Sequence, residues 1–478
     1  MVADNKAAGK ASELESKMLD EISPTPDECR AIESAAKALI ELVGKTAKDM
    51  GLEVNPILVG SVAKHTYLKK PDIDAFIQFP PSTPRQVLEE KGLAIGMKIL
   101  NGKKQYAEHP YVKGTFKGFD AEIVPCFQIA DSSQRMSAVD RTPFHTKFVH
   151  DNLKEGQNGQ VRLFKRFLKG IGAYGAEEAV RGFSGYLAEI MVIKYGTFRG
   201  ILEAASGWPE QVALRISDAA GKAAEFPKGP VAQGDTARGS AFTDVNPSMI
   251  FIDPVDLSRN VASAMSNEKY SLFVTAARQY LENPRREFFF PNAPKPLELP
   301  NLKDELAKRG TELIGILLRT PEVIADIYYS QLRKCEKGIR VLCEENGFHV
   351  IHSSFYAIGA DTLFLFEFEV HSLPDVRKHR GPPVGNPREK EFAAKWENSP
   401  DRRSALHIDE GLWTVHVKRE FTTADALIKA KIGTLSLGKH LNEEVKKGYK
   451  LVKGKALFSK ENAEALTLLF DKRFPWGK

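Results

Sequence analysis

Apolar residues recur along this chain at two different spacings, and the change from one to the other marks out its elements. Between Thr25 and Met50 the apolar positions Ile32, Ala35, Ala36, Leu39, Ile40 and Val43 repeat at helical spacing, which predicts a helix with one buried face. Thr25-Pro26-Asp27-Glu28 reads as its start: Thr25 caps, Pro26 occupies the first turn and Glu28 can reach back. The spacing then shortens. Pro56 to Val59 is a short apolar strand, Gly60-Ser61 opens a brief helical turn through Ala63 and Leu68, and Asp72 to Phe79 alternates with period two. This alternation places Asp72, Asp74 and Phe76 on one face and Ile73, Ala75 and Ile77 on the other. A third strand, about Phe119 to Val124, alternates in the same way and is expected to stop at Pro125.

From about Asn152 to Gly196 the period is helical again, as in Val161, Phe164, Phe167 and Leu168. The Gly-, Pro- and Ala-rich stretch from Ala223 to Pro247 reads as a surface loop or arm before a strand at Met249 to Ile252. Further on, a long helix from Pro321 to Asn346 precedes strands at Phe348 to His352 and Thr362 to Val370. In the second strand Leu363, Leu365, Glu367 and Glu369 alternate with Phe364, Phe366 and Phe368, which reads as half-buried. A basic loop, Arg377 to Pro383, a helix near Glu389 to Glu397 and a strand at Leu412 to Val417 complete the pattern. The expected class is α+β multidomain, with a mixed-sheet head at 1–150, a mainly helical neck at 151–265 and an α/β body and tail at 266–478.

Composition narrows the function classes only a little. With 478 residues, 42% hydrophobic and 27% charged, the chain is neither disordered nor fibrous. It has no apolar run of membrane-spanning length and no apolar signal-peptide core, so the expectation is a cytoplasmic protein without a membrane partner. Cys29, Cys126, Cys335 and Cys343 are scattered and suggest buried thiols rather than a zinc site or disulfide framework. The net charge of +6 permits a nucleic-acid partner, and the C-terminal stretch with Lys446, Lys447, Lys450, Lys453 and Lys455 concentrates positive charge. A solvated face is the alternative reading of that stretch.

The chemistry lies in the second and third strands. Two carboxylates at i and i+2 of one strand, with a third from a neighbour, can hold two Mg²⁺ ions roughly 3.5–4 Å apart, one on an attacking hydroxyl and one on a triphosphate. Asp72 and Asp74 supply the pair, while Asp120 and Glu122 share a face and periodicity does not choose between them. A lone Asp-x-Asp is more often a solvated edge. Here it follows Gly60-Ser61, a strand-to-helix junction with free backbone N–H groups and a hydroxyl suited to a phosphate oxygen, and Lys64 one turn on adds charge.

The run Gly60-Ser61-Val62-Ala63-Lys64-His65-Thr66-Tyr67-Leu68, followed by Asp72-Ile73-Asp74-Ala75-Phe76-Ile77, resembles the signature of the polymerase-β-like nucleotidyltransferases. More narrowly, the chain is similar to the archaeal, class I CCA-adding enzymes, the tRNA nucleotidyltransferases. Five stretches carry the narrower resemblance: Tyr106 to Val112, Glu122 to Phe127, Asp140 to His145, Tyr174 to Tyr186, and Asp253 to Ala262. The C-terminal region matches only in general character.

The resemblance implies that Glu122 is the third carboxylate, so that Asp72, Asp74 and Glu122 are catalytic and hold the Mg²⁺ ions. At the first of these positions the family often has Glu, and at the third often Asp. The triphosphate contacts map onto Ser61, Lys64, Lys165 and Tyr174, beside Gly60, with Lys64 where an Arg is frequent. Thr142 and His145 match positions on the ribose and base side, and Arg259 matches the arginine that helps choose C or A. The implied partners are tRNA lacking all or part of CCA, with CTP and then ATP; a homodimer is one open arrangement. Taken without the family, Lys165 sits in a basic helix with Arg162, Arg166 and Lys169 and reads as solvated. Tyr174 could close that helix, His145 could be structural, and Arg259 could pair locally with Asp253 or Asp256. The alternatives in function are a poly(A) polymerase, an oligoadenylate synthetase-like transferase, or an inactive tRNA-binding protein.

Overall fold

The computed structural model describes residues 2–106, 109–217 and 247–478, with side chains from residue 11. It divides into two compact units: residues 1–293 with the short segments 324–327 and 473–478, and residues 294–323 with 328–472. The arm expected at Ala223 to Pro247 lies almost wholly outside the described residues, as do Ala107 and Glu108.

The first unit opens with α1 (Val2–Ile22), which the sequence reading did not anticipate, and α2 (Pro26–Asp49). The capping box forms as expected: Glu28 N–H donates to Thr25 Oγ1 at 3.2 Å and Thr25 N–H to Glu28 Oε2 at 2.7 Å. Such a cap is worth about 1 kcal/mol. There follow β1 (Asn55–Val59), a single helical turn α3 (Gly60–Ala63), β2 (Ile73–Phe79), α4 (Arg85–Ile99), β3 (Lys103–Tyr106), β4 (Pro110–Phe116) and β5 (Phe119–Phe127). The strands form one sheet in the order β1-β2-β5-β4-β3, in which only β2 and β5 run parallel. Ile73, Ala75, Ile77, Ala121 and Ile123 turn to one face and pack with Ile32, Leu39 and Val43 of α2 and Leu88 and Ile95 of α4. Each large aliphatic side chain fully buried there stabilises the unit by about 1.5–3 kcal/mol. That packing leaves the carboxylates on the other face of β2 and β5, where Phe76, Val124 and Cys126 form a smaller buried cluster with Val59 and Val139.

Strand β5 does not stop at Pro125, which pairs in register with Ile77. The pairing of β5 with β4 has ended by Ile123, so beyond it β5 is an edge on that side and the missing N–H of Pro125 breaks no ladder bond.

Helices α5 (Thr142–Asn152), α6 (Gln157–Gly170), α7 (Gly185–Tyr195) and α8 (Phe198–Ser206), strands β6 (Val212–Leu214) and β7 (Met249–Phe251), and helix α9 (Asn267–Glu282) form a second core within this unit. The core is rich in aromatic rings, with Phe164, Phe167, Phe183, Phe198 and Phe273 fully buried, and Met18 and Ile22 of α1 pack into it.

In the second unit, α10 (Leu299–Arg309) precedes β8 (Glu312–Arg319). The long helix α11 (Ala325–Glu345), which belongs to this unit from Tyr328 on, begins later than Pro321, because Thr320 N–H is held by the carbonyl of Ala360 and the chain bends after it. Strand β9 (Val350–Ile358) is longer than expected and pairs with β10 (Asp361–Phe368) across a turn at Gly359, φ +58°. The alternation in β10 is not half-buried: Phe364, Phe366 and Phe368 enter one cluster and Leu363 and Leu365 another, so both faces are covered. Glu367 is fully buried and receives Arg309 Nε at 2.6 Å, Arg309 Nη2 at 2.9 Å and Thr311 Oγ1 at 2.7 Å, as a buried carboxylate requires.

The expected basic loop is a strand, β11 (Val376–Pro383), in an antiparallel sheet with β13 (Leu412–Lys418) and β12 (His407–Asp409), and α12 (Glu389–Glu397) precedes β12. Its prolines are tolerated because β11 is an edge strand whose register shifts between Arg380 and Pro383. None of the described helices is long and apolar enough to cross a membrane.

Candidate active site

Strand β1 delivers the chain to Gly60 at φ +72°, where glycine is the residue at least cost. Space demands it as well. A Cβ on Gly60 would lie 1.8 Å from Asp74 Oδ2, so the turn is pressed against the carboxylate. Asp74 and Glu122 are direct neighbours in the parallel register of β2 and β5, and Asp72 stands at the mouth of β2 on the same side. Glu122 rather than Asp120 therefore faces Asp74; Asp120 is exposed two residues away. Beside these groups opens a cavity of about 410 Å³ lined by Gly60, Asp74, Glu122, Tyr111 and Thr142, with Phe76 and Val124 as an apolar wall.

The carboxylates carry more negative charge than they can comfortably hold together. Burial, then the charges of Glu122 and Asp72, push the Asp74 carboxyl up to about 7. Lys113 of β4 partly relieves the excess: its Nζ lies 2.8 Å from Glu122 Oε1 and 3.7 Å from Asp72 Oδ2. The hydrogen bond to Glu122 in turn raises the lysine above its ordinary value. Among the described residues no three acidic, histidine or cysteine groups already close around one point. The donor set nevertheless suits a hard divalent cation, being three carboxylates with an ammonium standing in the gap. Residues Asp72, Asp74 and Glu122 are those that would hold it.

On the far side of Gly60 the sequence reading missed a residue. Glu189 of α7 is completely buried and takes three partners: Lys64 Nζ at 2.5 Å, Thr66 Oγ1 at 2.5 Å and Lys165 Nζ at 2.9 Å. Burial opposes its ionisation, yet the Lys165 and Lys64 ammoniums and these hydrogen bonds hold the carboxyl at about 2. Lys165 is therefore not a solvated lysine of a basic helix; it is 2% exposed and also donates to Thr66 O at 3.2 Å. Its neighbours on α6 point inward too. Arg162 donates to the carbonyl of Tyr67 at 2.9 Å and Arg166 to that of Phe289 at 2.8 Å. Tyr174 lies in the same place: a Cβ built on Gly185 would sit 3.2 Å from its hydroxyl and 3.9 Å from Lys165 Nζ. Ser61 is half-buried on α3, its carbonyl accepting from Thr66 N–H at 3.0 Å. The structure thus gathers Lys64 and Lys165 around one carboxylate that no local spacing pointed to, with the Tyr174 hydroxyl and Lys165 both close to Gly185.

A second buried acid organises the residues assigned to the base side. Asp253 Oδ2 accepts from His145 Nε2 at 2.9 Å and from Arg259 Nη1 at 3.0 Å, and Oδ1 accepts from Tyr186 Oη at 3.1 Å and Val255 N–H at 3.0 Å. Although burial opposes it, these partners, led by His145, hold the Asp253 carboxyl at about 2. Burial pushes His145 below the usual histidine range, while its hydrogen bond to Asp253 and that carboxylate's charge pull the other way. The His145 and Tyr186 rings stack at 4.0 Å. The local ion pair weighed for Arg259 exists, and it is shared with His145. Asp256 instead meets Arg135 at 3.1 Å and Arg141 at 3.4 Å. In the C-terminal basic stretch Lys447 pairs with Glu444 at 2.7 Å and Lys453 with Asp425 at 2.9 Å, which cancels part of its charge.

A mixed sheet whose parallel pair carries acidic side chains beside a glycine turn and a lysine cluster defines a nucleotidyltransferase. Family models agree along the chain: "Nucleotidyltransferase domain" at residues 40–145, "tRNA nucleotidyltransferase, second domain" at 159–290 and "CCA-adding enzyme, C-terminal domain" at 309–454. The chain belongs to the CCA-adding enzyme family. It is 34% identical to the CCA-adding enzyme of Methanosarcina barkeri over 93% of this chain and 94% of that one. It is likewise 34% identical to that of Methanothermobacter thermautotrophicus, covering 91% and 92%. Identity to the Haloarcula marismortui enzyme is 33%, covering 90% and 92%. Among solved structures, a cytoplasmic RNA terminal U-transferase aligns with 60% of this chain at 15% identity and a TM-score of 0.45.

Proposed function

We propose that this chain is a CCA tRNA nucleotidyltransferase, which extends a tRNA lacking all or part of its CCA end by C, C and A, using CTP and then ATP without a nucleic-acid template. The observation that carries the reading is the register of β2 on β5, which sets Asp74 against Glu122 beside the Gly60 turn, with Asp72 at the strand mouth. Two Mg²⁺ ions held by Asp72, Asp74 and Glu122 would supply electrophilic stabilisation of the α-phosphate and of the departing pyrophosphate. The chain's own groups do the rest. Lys64 and Lys165, spaced by Glu189, offer positive charge to the triphosphate beside Ser61 and Tyr174. Thr142 lines the cavity next to Asp74, and Arg259 with His145, held on Asp253, faces the nucleotide's base and ribose.

In this reading residues 1–150 are the catalytic head, 151–265 the neck that completes the nucleotide site, and 266–478 the body and tail that grip tRNA through phosphate contacts. The enzyme works in the cytoplasm. Primer extension on a tRNA lacking CCA, with each nucleotide offered separately and together, tests it. Limited addition of C, C and A is expected; long A tails or 2′–5′ linkages overturn it in favour of a poly(A) polymerase or an oligoadenylate synthetase-like enzyme. Asp74→Ala is expected to abolish incorporation while tRNA affinity stays within a few-fold, and a parallel loss of binding would make Asp74 structural.

A further inference from the structure

Resting on the reading that Asp72, Asp74 and Glu122 take a divalent cation, we propose that Lys113 is a tethered counter-cation: its ammonium occupies the gap between Glu122 and Asp72, and a divalent ion enters only by displacing it. The cross-strand register places it there. Lys113 on β4 is paired directly with Glu122 on β5, so the two side chains leave the sheet on the same face. Its Nζ hydrogen-bonds Glu122 at 2.8 Å and lies 3.7 Å from Asp72, thereby touching two of the three carboxylates.

Two features make the contact reversible. The Lys113 side chain is 42% exposed, so its four-carbon stem can swing into water without breaking any core packing. An ammonium is also a single point charge, held by no fork of bonds of the kind an arginine would make, and it is readily exchanged for another cation. The stabilisation it gives is real because the carboxylates repel one another: with no cation among them, Asp74 would face Glu122 across the parallel register and Asp72 two residues away, all on one side of the sheet. Lysine and metal are thus alternatives for one surplus of negative charge. The free enzyme is spared the repulsion, and the metal site is weakened by whatever the lysine contributes.

A half-exposed ion pair contributes about 1 kcal/mol, which corresponds to roughly a fivefold change in a binding constant. Mn²⁺ binding to the full-length chain, measured by titration calorimetry and by the loss of the free-ion electron paramagnetic signal, is therefore expected to tighten about three- to tenfold in Lys113→Met. Lys113→Arg, which keeps the charge, is expected to stay at the wild-type value or weaker. The thermal midpoint supplies the second readout. In chelator Lys113→Met is expected to unfold earlier than wild type, and saturating Mn²⁺ is expected to raise its midpoint by more than it raises that of wild type. A lysine with a merely structural role would lower both midpoints together.

Equal or weaker Mn²⁺ binding by Lys113→Met overturns the proposal; should that variant not fold, Lys113→Gln is read in the same way. Failure of the underlying reading looks different. If Mn²⁺ binding to the wild-type chain is indifferent to Asp72→Asn and Glu122→Gln, the carboxylates hold no metal at all, whatever the lysine variants do.

Discussion

Replacing Gly60 by alanine tests how closely the turn and the carboxylate depend on each other. Two penalties act. At φ +72° an L-residue pays about 1–2 kcal/mol for the left-handed conformation. The added Cβ would also lie 1.8 Å from Asp74 Oδ2, 2.7 Å from its Cγ and 3.1 Å from its Cβ. The Asp74 carboxylate must therefore rotate out of its place, and the 3.1 Å contact with its Cβ requires the strand or the turn to give by a few tenths of an ångström as well. Misplacement of a reacting group by about 1 Å costs on the order of 100-fold in rate. Gly51 provides the control, since its φ is +68° and nothing lies within 4 Å of a Cβ built there. Gly51→Ala therefore carries the conformational penalty alone. The assay is incorporation of labelled CTP into tRNA lacking CCA, together with the urea midpoint of each variant. Gly51→Ala is expected to lose about 1–2 kcal/mol of stability and Gly60→Ala at least as much, and Gly60→Ala is expected to lose about 100-fold more in kcat/KM than Gly51→Ala. Equal activity of the two would refute the claim that the turn positions Asp74.

Three other outcomes follow from the same geometry. Glu189→Gln strands two ammoniums whose side chains are 8% and 3% exposed, so it is expected to destabilise the protein by about 3–5 kcal/mol in urea unfolding, with part regained on adding CTP; a loss below about 1 kcal/mol would contradict the network. Asp74 sits near 7 when folded and 3.8 when unfolded; between these values the metal-free folded state keeps a proton that the unfolded state releases. Stability in chelator should therefore fall as pH rises from about 4 to about 7, and Asp74→Asn should remove that component, which midpoints across the window would show. Asp253→Asn removes the charge that His145 and Arg259 share, worth about 1.5–3 kcal/mol for charged hydrogen bonds, so sequencing of the products should reveal about tenfold or more loss in the order of C and A addition, with turnover of the correct nucleotide less affected.

Where a function depends on neighbours along the chain, the residues announced it. Period two in Asp72 to Phe79 put the acids on the face opposite Ile73, Ala75 and Ile77, and with those three packed against α2 and α4, Asp74 and Glu122 line the cavity on the other side of the sheet. Thr25 to Glu28 named its own cap because all four residues lie within one turn. The choice of Glu122 over Asp120 was open on spacing alone, since both share a face, and only the pairing of β5 with β2 sets one of them against Asp74. Half-burial of β10 was misread for a related reason: alternation of Leu with Phe says nothing about polarity, and coverage of both faces depends on what packs from elsewhere. Glu189 meets Lys64 across a separation of 125 positions in the sequence, and Asp253 meets His145 across one of 108. A carboxylate in an apolar helix or a short loop carries no local mark of the cation it will neutralise. Periodicity reports which way a side chain points, whereas the partner it meets depends on chain reversals that bring distant segments into one low-dielectric interior, and there a charge is tolerable only when its counter-charge arrives with it.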